Sequence, residues 1–177
     1  MSVYGNPFGQ PPDAYVAALL KLLGPRDPLE VLAELPAWLE ERLNGHPQEA
    51  LRREEAPGKW SVVAVVAHLA DSELVSGWRT RMIAAETEPP IPGYDQDAWA
   101  LAFGYLEADL DGALDQLLAL RTANLRFWRL LTPAQWSRRG VHSERGPETL
   151  SHVLKLIAGH DLVHRNQIDR ILRAGAA

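Results

Sequence analysis

Apolar residues recur along this chain at the three-to-four-residue spacing of amphipathic helices, and Pro and Gly pairs separate the helical blocks. No stretch shows the sustained two-residue alternation of a half-buried strand. Asp27 and Ser61 stand where helix N-caps are expected, and Gly24 with Pro25 stops the first block. Helices are expected over about residues 13–23, 27–43, 61–86, 110–131 and 147–174. The sequence therefore predicts an all-α protein.

The four longer predicted helices suit a four-helix bundle, and the block at 13–23 would be a short extra helix at the N-terminus. The connection over residues 87–111 is the longest and contains the proline-rich stretch TEPPIPGY. Such a length allows the chain to cross over the bundle instead of turning back at once. From the length of 177 residues we expect one domain, 1–177, with a single core.

The composition limits the kinds of molecule that the protein is expected to bind. The net charge is −5 and the pI is near 5.7, which is the wrong sign for a protein that binds a nucleic-acid backbone. No run approaches the roughly 18 apolar residues of a membrane span, and the first residues lack the pattern of an export signal. Because the chain has no cysteine, it has neither disulfides nor thiolate metal ligands. We therefore expect a cytoplasmic protein that binds neither nucleic acid nor membrane.

Two histidines, His160 and His164, lie one turn apart on the apolar face of the last predicted helix. The same face carries Val153, Ile157 and Ile171. Imidazoles at positions i and i+4 of a helix can converge on one point, which is how helices present metal ligands. The alternative interpretation is two core histidines that are satisfied by hydrogen bonds.

A third histidine, His68, ends an apolar stretch of the third predicted helix. If that helix packs beside the last one, His68, His160 and His164 form a site of three nitrogens with open coordination positions. Catalytic zinc sites have this arrangement, and imidazole also suits nickel, cobalt and iron. No general base is apparent beyond two acidic residues. We interpret Asp161 as solvated or as lying behind the ligands, and Glu73 lies about 140° from His68 around its helix.

Four motifs of this chain resemble those of a known family: GKWSVVAVVAHLADSE, PPIPGYDQDAW, GVHSERG and AGHDLVHRNQI. In their order and spacing they are similar to the DinB/YfiT-like group of four-helix-bundle proteins, which are described as candidate metal-dependent hydrolases. The resemblance implies that His68, His160 and His164 bind one divalent metal ion, with zinc and nickel as the first candidates. It also implies a bundle whose helices run down-up-up-down, and a homodimer.

The resemblance leaves the reaction open. The family also includes bacillithiol transferases and a mycothiol-dependent maleylpyruvate isomerase, for which a metal-activated thiolate is inferred. A divalent ion lowers the pKa of bound water and of a bound thiol alike. The same site therefore suits a hydrolase acting on a small-molecule substrate or a transferase that uses a low-molecular-weight thiol as cosubstrate. A further hypothesis is a non-catalytic bundle that the metal stabilises and that binds a small molecule or a partner in a stress response.

Three further side chains are predicted to contact the substrate. Arg79 shares the helix face of His68, and its guanidinium group can hold a carboxylate. Gln167 lies one turn beyond the histidine pair and can hydrogen-bond a ligand or the substrate. The resemblance places His142, in GVHSERG, near the open end of the bundle. For the arginine, the alternative is an ion pair with Asp71, Glu86 or Asp95.

Overall fold

The computed structural model describes residues 11–174 of the chain, and most of them are helical. The helices are α1 (Pro12–Leu23), α2 (Pro28–Leu43), α3 (Gln48–Arg52), α4 (Val62–Ala85), α5 (Gln96–Ala102), α6 (Leu110–Leu130), α7 (Pro133–Trp136) and α8 (Leu150–Ala174). A small sheet contains β1 (Pro90–Ile91), β2 (Arg139–His142) and β3 (Gly146–Thr149). Helices α2, α4, α6 and α8 form the bundle, which confirms the predicted fold class. Within 11–174, none of the helices has both the length and the apolar composition required to traverse a bilayer.

The first turns of two bundle helices are capped by side chains that satisfy free backbone N–H groups. The Asp27 carboxylate accepts a hydrogen bond from the N–H of Leu29 at 2.7 Å, and the Ser61 hydroxyl oxygen accepts one from the N–H of Ala64 at 3.2 Å. Both caps were predicted from residue type and position. Gly24 follows α1 at φ 57°, a backbone conformation that favours glycine. Local sequence therefore sets where these helices begin and end.

Helices α4 and α6 run parallel to each other, because the contacts between them advance in the same direction along both. Gln116 donates a hydrogen bond to Asp71 at 3.3 Å, and further along both helices Arg81 donates to Asn124 at 2.6 Å. Two consecutive parallel helices need a connection that travels back along the bundle. The long segment between α4 and α6, with β1, α5 and a 3₁₀ turn, is that crossover.

Helices α2 and α8 run in the opposite direction to α4. Leu43 at the end of α2 and Ile168 near the end of α8 share an apolar cluster with Val62 at the start of α4. The first halves of α2 and α8 instead join the apolar cluster around Ile83, near the end of α4. The order is therefore down-up-up-down, as predicted.

Between the two apolar clusters the interior of the bundle is polar. It contains His68 and Glu73 from α4, Arg121 from α6, and Asp161 and His164 from α8, and all five side chains are buried. Buried polar groups are tolerated only when they find partners. In this layer the side chains must therefore satisfy one another's hydrogen bonds and charges as well as pack together.

The three short strands were not predicted. Strand β1 pairs in parallel with β2, and β2 pairs in antiparallel with β3. Strands of two to four residues are too short to show a two-residue alternation. Residues 147–149 were expected to begin the last helix, but they belong to β3. A Cβ on Gly140 would lie 2.7 Å from Ile91 and 2.8 Å from Ile83, so glycine lets the sheet lie directly on the bundle. The sheet thereby brings His142 to the end of α4.

The predicted extra helix at the N-terminus is α1, which packs along α8. The two backbones approach closely, because a Cβ on Gly159 would lie 2.7 Å from the carbonyl oxygen of Leu19. Leu19 and Leu156 are buried in the contact. Helix α1 therefore covers one side of α8 near the histidine pair.

Candidate metal centre

Three histidines from two helices meet in the polar layer of the bundle. The Nε2 atom of His160 lies 3.1 Å from Nε2 of His68 and 3.1 Å from Nε2 of His164. One ligand atom from each ring can be chosen so that all lie within 4.8 Å of one another. Histidines separated by 92 residues thus share one point because α4 and α8 are neighbours. We call these residues the three-histidine cluster.

A glutamine one turn further along α8 orients one of these rings. Nδ1 of His164 lies 2.9 Å from Oε1 of Gln167, and both side chains are buried. Because an amide oxygen can only accept, Nδ1 of His164 carries the proton and donates it. The lone pair of Nε2 is then directed to the centre of the cluster, which is the tautomer that a metal ligand requires.

The ring of His68 is held mainly by packing. The indole of Trp60 lies against it, with 4.9 Å between the ring centroids. Its Nδ1 is buried without a hydrogen-bond partner among the described residues. On the other side of the ring, the hydroxyl of Ser72 lies 3.3 Å from Nε2, and the hydroxyl of Tyr94 lies 3.0 Å from that of Ser72. Two hydroxyl groups therefore border the cluster.

All three histidines are neutral at neutral pH. Burial lowers the pKa of His68 and of His164 well below the ordinary value of 6.5, and neighbouring rings of the cluster lower both further. Burial, followed by the charge of Arg121, lowers the pKa of His160 to about 4. Neutral imidazole is the form that binds a metal ion.

These residues fit a divalent metal ion. Lone pairs of neutral imidazoles that face one another at 3.1 Å repel unless a cation or a proton lies between them. At a zinc–nitrogen distance of about 2.0–2.1 Å and a tetrahedral angle, two ligand nitrogens lie about 3.3 Å apart. The two separations from Nε2 of His160, 3.1 Å each, are close to that value. A site with three nitrogen ligands keeps coordination positions for water or substrate.

A cavity of about 150 Å³ adjoins the three-histidine cluster. His68 and His160 line one part of it. Arg79 lines it further along α4, and His142 lines it at the sheet. Apolar side chains from α1, α4 and α8 form much of the remaining wall. A small molecule in this cavity would therefore contact the histidines and charged groups at the same time.

A buried cluster of three charged side chains lies beside the histidines and also borders the cavity. Arg121 contacts the carboxylate of Asp161 at 2.6 Å and that of Glu73 at 2.9 Å, and it donates to the carbonyl oxygen of Leu32 at 2.8 Å. Asn124 donates to the second oxygen of Glu73 at 2.8 Å. Burial raises the pKa of Asp161, and the charge of Arg121 opposes this shift. Both carboxylates are therefore held by partners.

Comparison with known proteins places the chain in a family. A sequence model of the DinB superfamily matches residues 32–168. The chain belongs to the DinB superfamily. YfiT of Bacillus subtilis, named as a candidate metal-dependent hydrolase, is 32% identical over 146 residues, which cover 82% of each chain. A similarly named protein of Oceanobacillus iheyensis is 27% identical over 142 residues, which cover 80% of this chain and 82% of the relative.

A solved structure supports the same family at the level of the fold. The structure of YfiT from Bacillus subtilis, described as a four-helix bundle of unusual topology, superposes with a TM-score of 0.77. The two chains are 31% identical, and the match covers 83% of this chain and 85% of that one. The predicted resemblance to the DinB/YfiT-like group is therefore confirmed, together with the helical bundle.

The residues that were predicted to contact substrate occupy two different places in this DinB-family chain. Arg79 and His142 line the cavity. Gln167 instead contacts His164, and it is absent from the residues that line the cavity. Among the described residues Arg79 forms no ion pair, so the predicted alternative of a carboxylate partner is wrong.

Sequence reasoning left two places open for one carboxylate and missed its partner. Of the two interpretations of Asp161, the solvated one is wrong, because its side chain is buried and paired with Arg121. Arg121 itself was not singled out, although it stands at helical spacing between Leu117 and Trp128 on the buried face of α6. An arginine at such a position needs a buried acidic partner. The helical spacing of Arg121 could therefore have revealed it in the sequence. The hydroxyl of Tyr94 reaches the site from a loop, where no spacing pattern marks it.

Proposed function

We propose that this DinB-family chain is a metal-dependent enzyme in which the three-histidine cluster holds one divalent ion, zinc or nickel. The observation that carries the proposal is the convergence of three neutral imidazoles beside a cavity that a small molecule can enter. The names of the relatives support hydrolysis as the reaction. We therefore propose a hydrolase of small molecules.

The protein contributes binding and orientation more than proton transfer. Gln167 holds His164 in the ligand tautomer, and Trp60 packs against His68. Glu73 and Asp161 are engaged by Arg121, so neither is a free general base. A bound divalent ion would supply the missing function, because it lowers the pKa of water or of a thiol and yields a nucleophile at neutral pH.

The first experiment measures metal content by mass spectrometry on untagged protein. We expect about one divalent ion per chain in the wild type, and its loss in the variants His68→Ala and His164→Ala. His46→Ala is the matched control, because His46 is exposed and lies outside the cluster. If the wild type takes up no ion after incubation with zinc, nickel or manganese, the proposal fails.

The second experiment separates the three functions that share this site. Hydrolysis predicts turnover of ester, amide or phosphoester substrates with the metal alone. Thiol transfer predicts no turnover until bacillithiol or a similar thiol is added, and both activities should disappear in His164→Ala. A protein that binds the ion, is stabilised by it and shows no turnover under either condition would be a non-catalytic binder.

A further inference from the structure

Arg79 lies on the same face of α4 as His68. The two residues are eleven positions apart, so they differ by about 20° around the helix and by about 16 Å along it. Both side chains line the cavity, and Ser72 and Val75 line it between them. Helix α4 therefore presents a histidine at one end of the cavity and a cation further along it.

Within residues 11–174, this arginine lacks the carboxylate partner that the other arginines of the cavity have. Arg121 is paired with Glu73 and Asp161, and Arg145 forms two hydrogen bonds with the carboxylate of Glu148. Among the described residues, Arg79 donates to the carbonyl oxygen of Pro92 and forms no ion pair.

The guanidinium group of Arg79 is also partly removed from water. Its Nε is buried without a hydrogen-bond partner in the described part of the chain. Cζ of Arg79 lies over the ring of Tyr94, 5.5 Å from the centroid, a contact that supplies no oxygen acceptor for the guanidinium N–H groups. Burial lowers the pKa of Arg79, and the charges of Glu148 and Glu144 oppose this shift only in part. An anion at this point would satisfy the group.

A second hydrogen-bond donor lines the same cavity. Nδ1 of His142 accepts a hydrogen bond from the backbone N–H of Glu144 at 3.2 Å, so the proton of the neutral ring is on Nε2. Burial, followed by the charges of Arg145 and Arg79, lowers the pKa of His142 to about 4. His142 therefore offers an N–H group without adding charge.

With a divalent ion in the three-histidine cluster, the net charge of the cavity lining favours an anion with a single charge. Three arginines and four carboxylates are found among its lining residues, a net charge of −1 with neutral histidines. The charged lining residues are Arg79, Arg121, Arg145, Glu73, Glu144, Glu148 and Asp161. A divalent ion in the three-histidine cluster would change this to +1. A monoanion would neutralise that charge, whereas a phosphate dianion would not.

We propose that the cavity binds a small molecule through a carboxylate held by Arg79, with His142 as a neighbouring donor. The planar fork of an arginine matches the two oxygens of a carboxylate. The rest of the molecule extends along α4 to the three-histidine cluster, and this part of the inference rests on the proposed function. The substrate class is thus a small carboxylic acid whose reacting group is separate from its carboxylate.

The test compares binding of benzoate with that of its neutral analogue benzamide by titration calorimetry. A cavity of about 150 Å³ can take a benzene-sized ring. We expect the wild type to bind benzoate at least about tenfold more tightly than benzamide, since hydrogen bonds to charged groups contribute that much. This preference should disappear in Arg79→Met and remain in Arg126→Met, which removes an exposed arginine outside the cavity.

Measurement on both metal-free and zinc-loaded protein separates this inference from the proposed function. A preference that requires Arg79 but persists without metal supports the carboxylate site, even if the wild type binds no ion. A preference that survives Arg79→Met and disappears on removal of zinc would mean that benzoate binds the metal, which overturns the carboxylate site. Equal binding of benzoate and benzamide, or no binding of benzoate by either form, would overturn it as well.

Discussion

Removal of Arg121 is the perturbation that the structure predicts most sharply. The side chain is 2% exposed, and it contacts Asp161 at 2.6 Å and Glu73 at 2.9 Å, whose side chains are 2% and 5% exposed. In Arg121→Met two buried carboxylates face each other without a cation. The methionine fills a similar volume, so the loss should be electrostatic and not a matter of packing.

The size of the effect follows from the burial of the ions. Charges about 4 Å apart attract by about 4 kcal/mol at an effective dielectric constant of 20, and removal of one partner of a buried pair costs about 3–5 kcal/mol. We therefore expect Arg121→Met to lower the free energy of unfolding by about 4 kcal/mol. In urea, with a slope of about 2 kcal/mol per M, the midpoint should fall by about 2 M.

The dependence of this loss on pH provides an internal check. Burial raises the pKa of Asp161, and without Arg121 the charge that opposes this shift is lost, so the unfolded chain binds fewer protons than the folded variant. Stability relative to the wild type should then be lowest near pH 7 and should recover as the pH falls toward 4–5. The difference between variant and wild type removes the contributions of the histidines that Arg121 does not affect, and His160 remains because the charge of Arg121 lowers its pKa.

A variant that also removes the charges of Glu73 and Asp161 tests whether the loss is electrostatic. In Arg121→Met combined with Glu73→Gln and Asp161→Asn, none of these three buried positions carries a charge, so at least half of the lost stability should return. A loss below about 1 kcal/mol in the single variant would refute the reasoning. So would a triple variant that is no more stable than Arg121→Met.

Other predictions concern the histidines and two close contacts. Gln167→Leu should weaken zinc binding about 10–100-fold in a competition titration with a chelator, with little change in fold by circular dichroism; unchanged affinity would remove its orienting role. Gly159→Ala should cost about 1–3 kcal/mol in urea unfolding, because its Cβ meets the backbone of Leu19. The matched control Gly112→Ala meets only an exposed, flexible side chain and should be neutral or stabilising by up to about 1 kcal/mol; equal losses would contradict the contact. In metal-free protein the pKa values of the three-histidine cluster and of His142 are lowered by folding. The unfolded chain therefore binds more protons than the folded one between about pH 4 and 6.5, and the free energy of unfolding should fall as the pH falls through that range. A flat profile would contradict the burial of these rings.

Much of the fold could be predicted because helix signals are local. N-cap residues such as Asp27 and Ser61 act within one turn. The bundle helices show the three-to-four-residue spacing of apolar residues over many positions. The small sheet could not be predicted in this way, since strands of two to four residues exist only through pairing across distant segments. The parallel course of α4 and α6 was suggested by the long connection and by family resemblance, not by any pattern within the helices.

The candidate site was partly predictable for a similar reason. Helical geometry places His160 beside His164, and only the packing of α4 on α8 adds His68. Groups that reach the site from loops, such as Tyr94, have no periodicity to reveal them. The pairing of Arg121 with Asp161 depends on the side-to-side arrangement of α6 and α8, which one sequence does not specify.

The wide separation of the histidines along the chain has a consequence for biosynthesis. His68 leaves the ribosome long before its partners in α8, of which the nearer, His160, is 92 residues away. Earlier segments of the bundle can collapse while α8 is still being made, so a nascent chain presents His68 alone. Metal loading would thus have to await the synthesis of α8, and the bound ion would then stabilise the packing of α8 against the helices made before it.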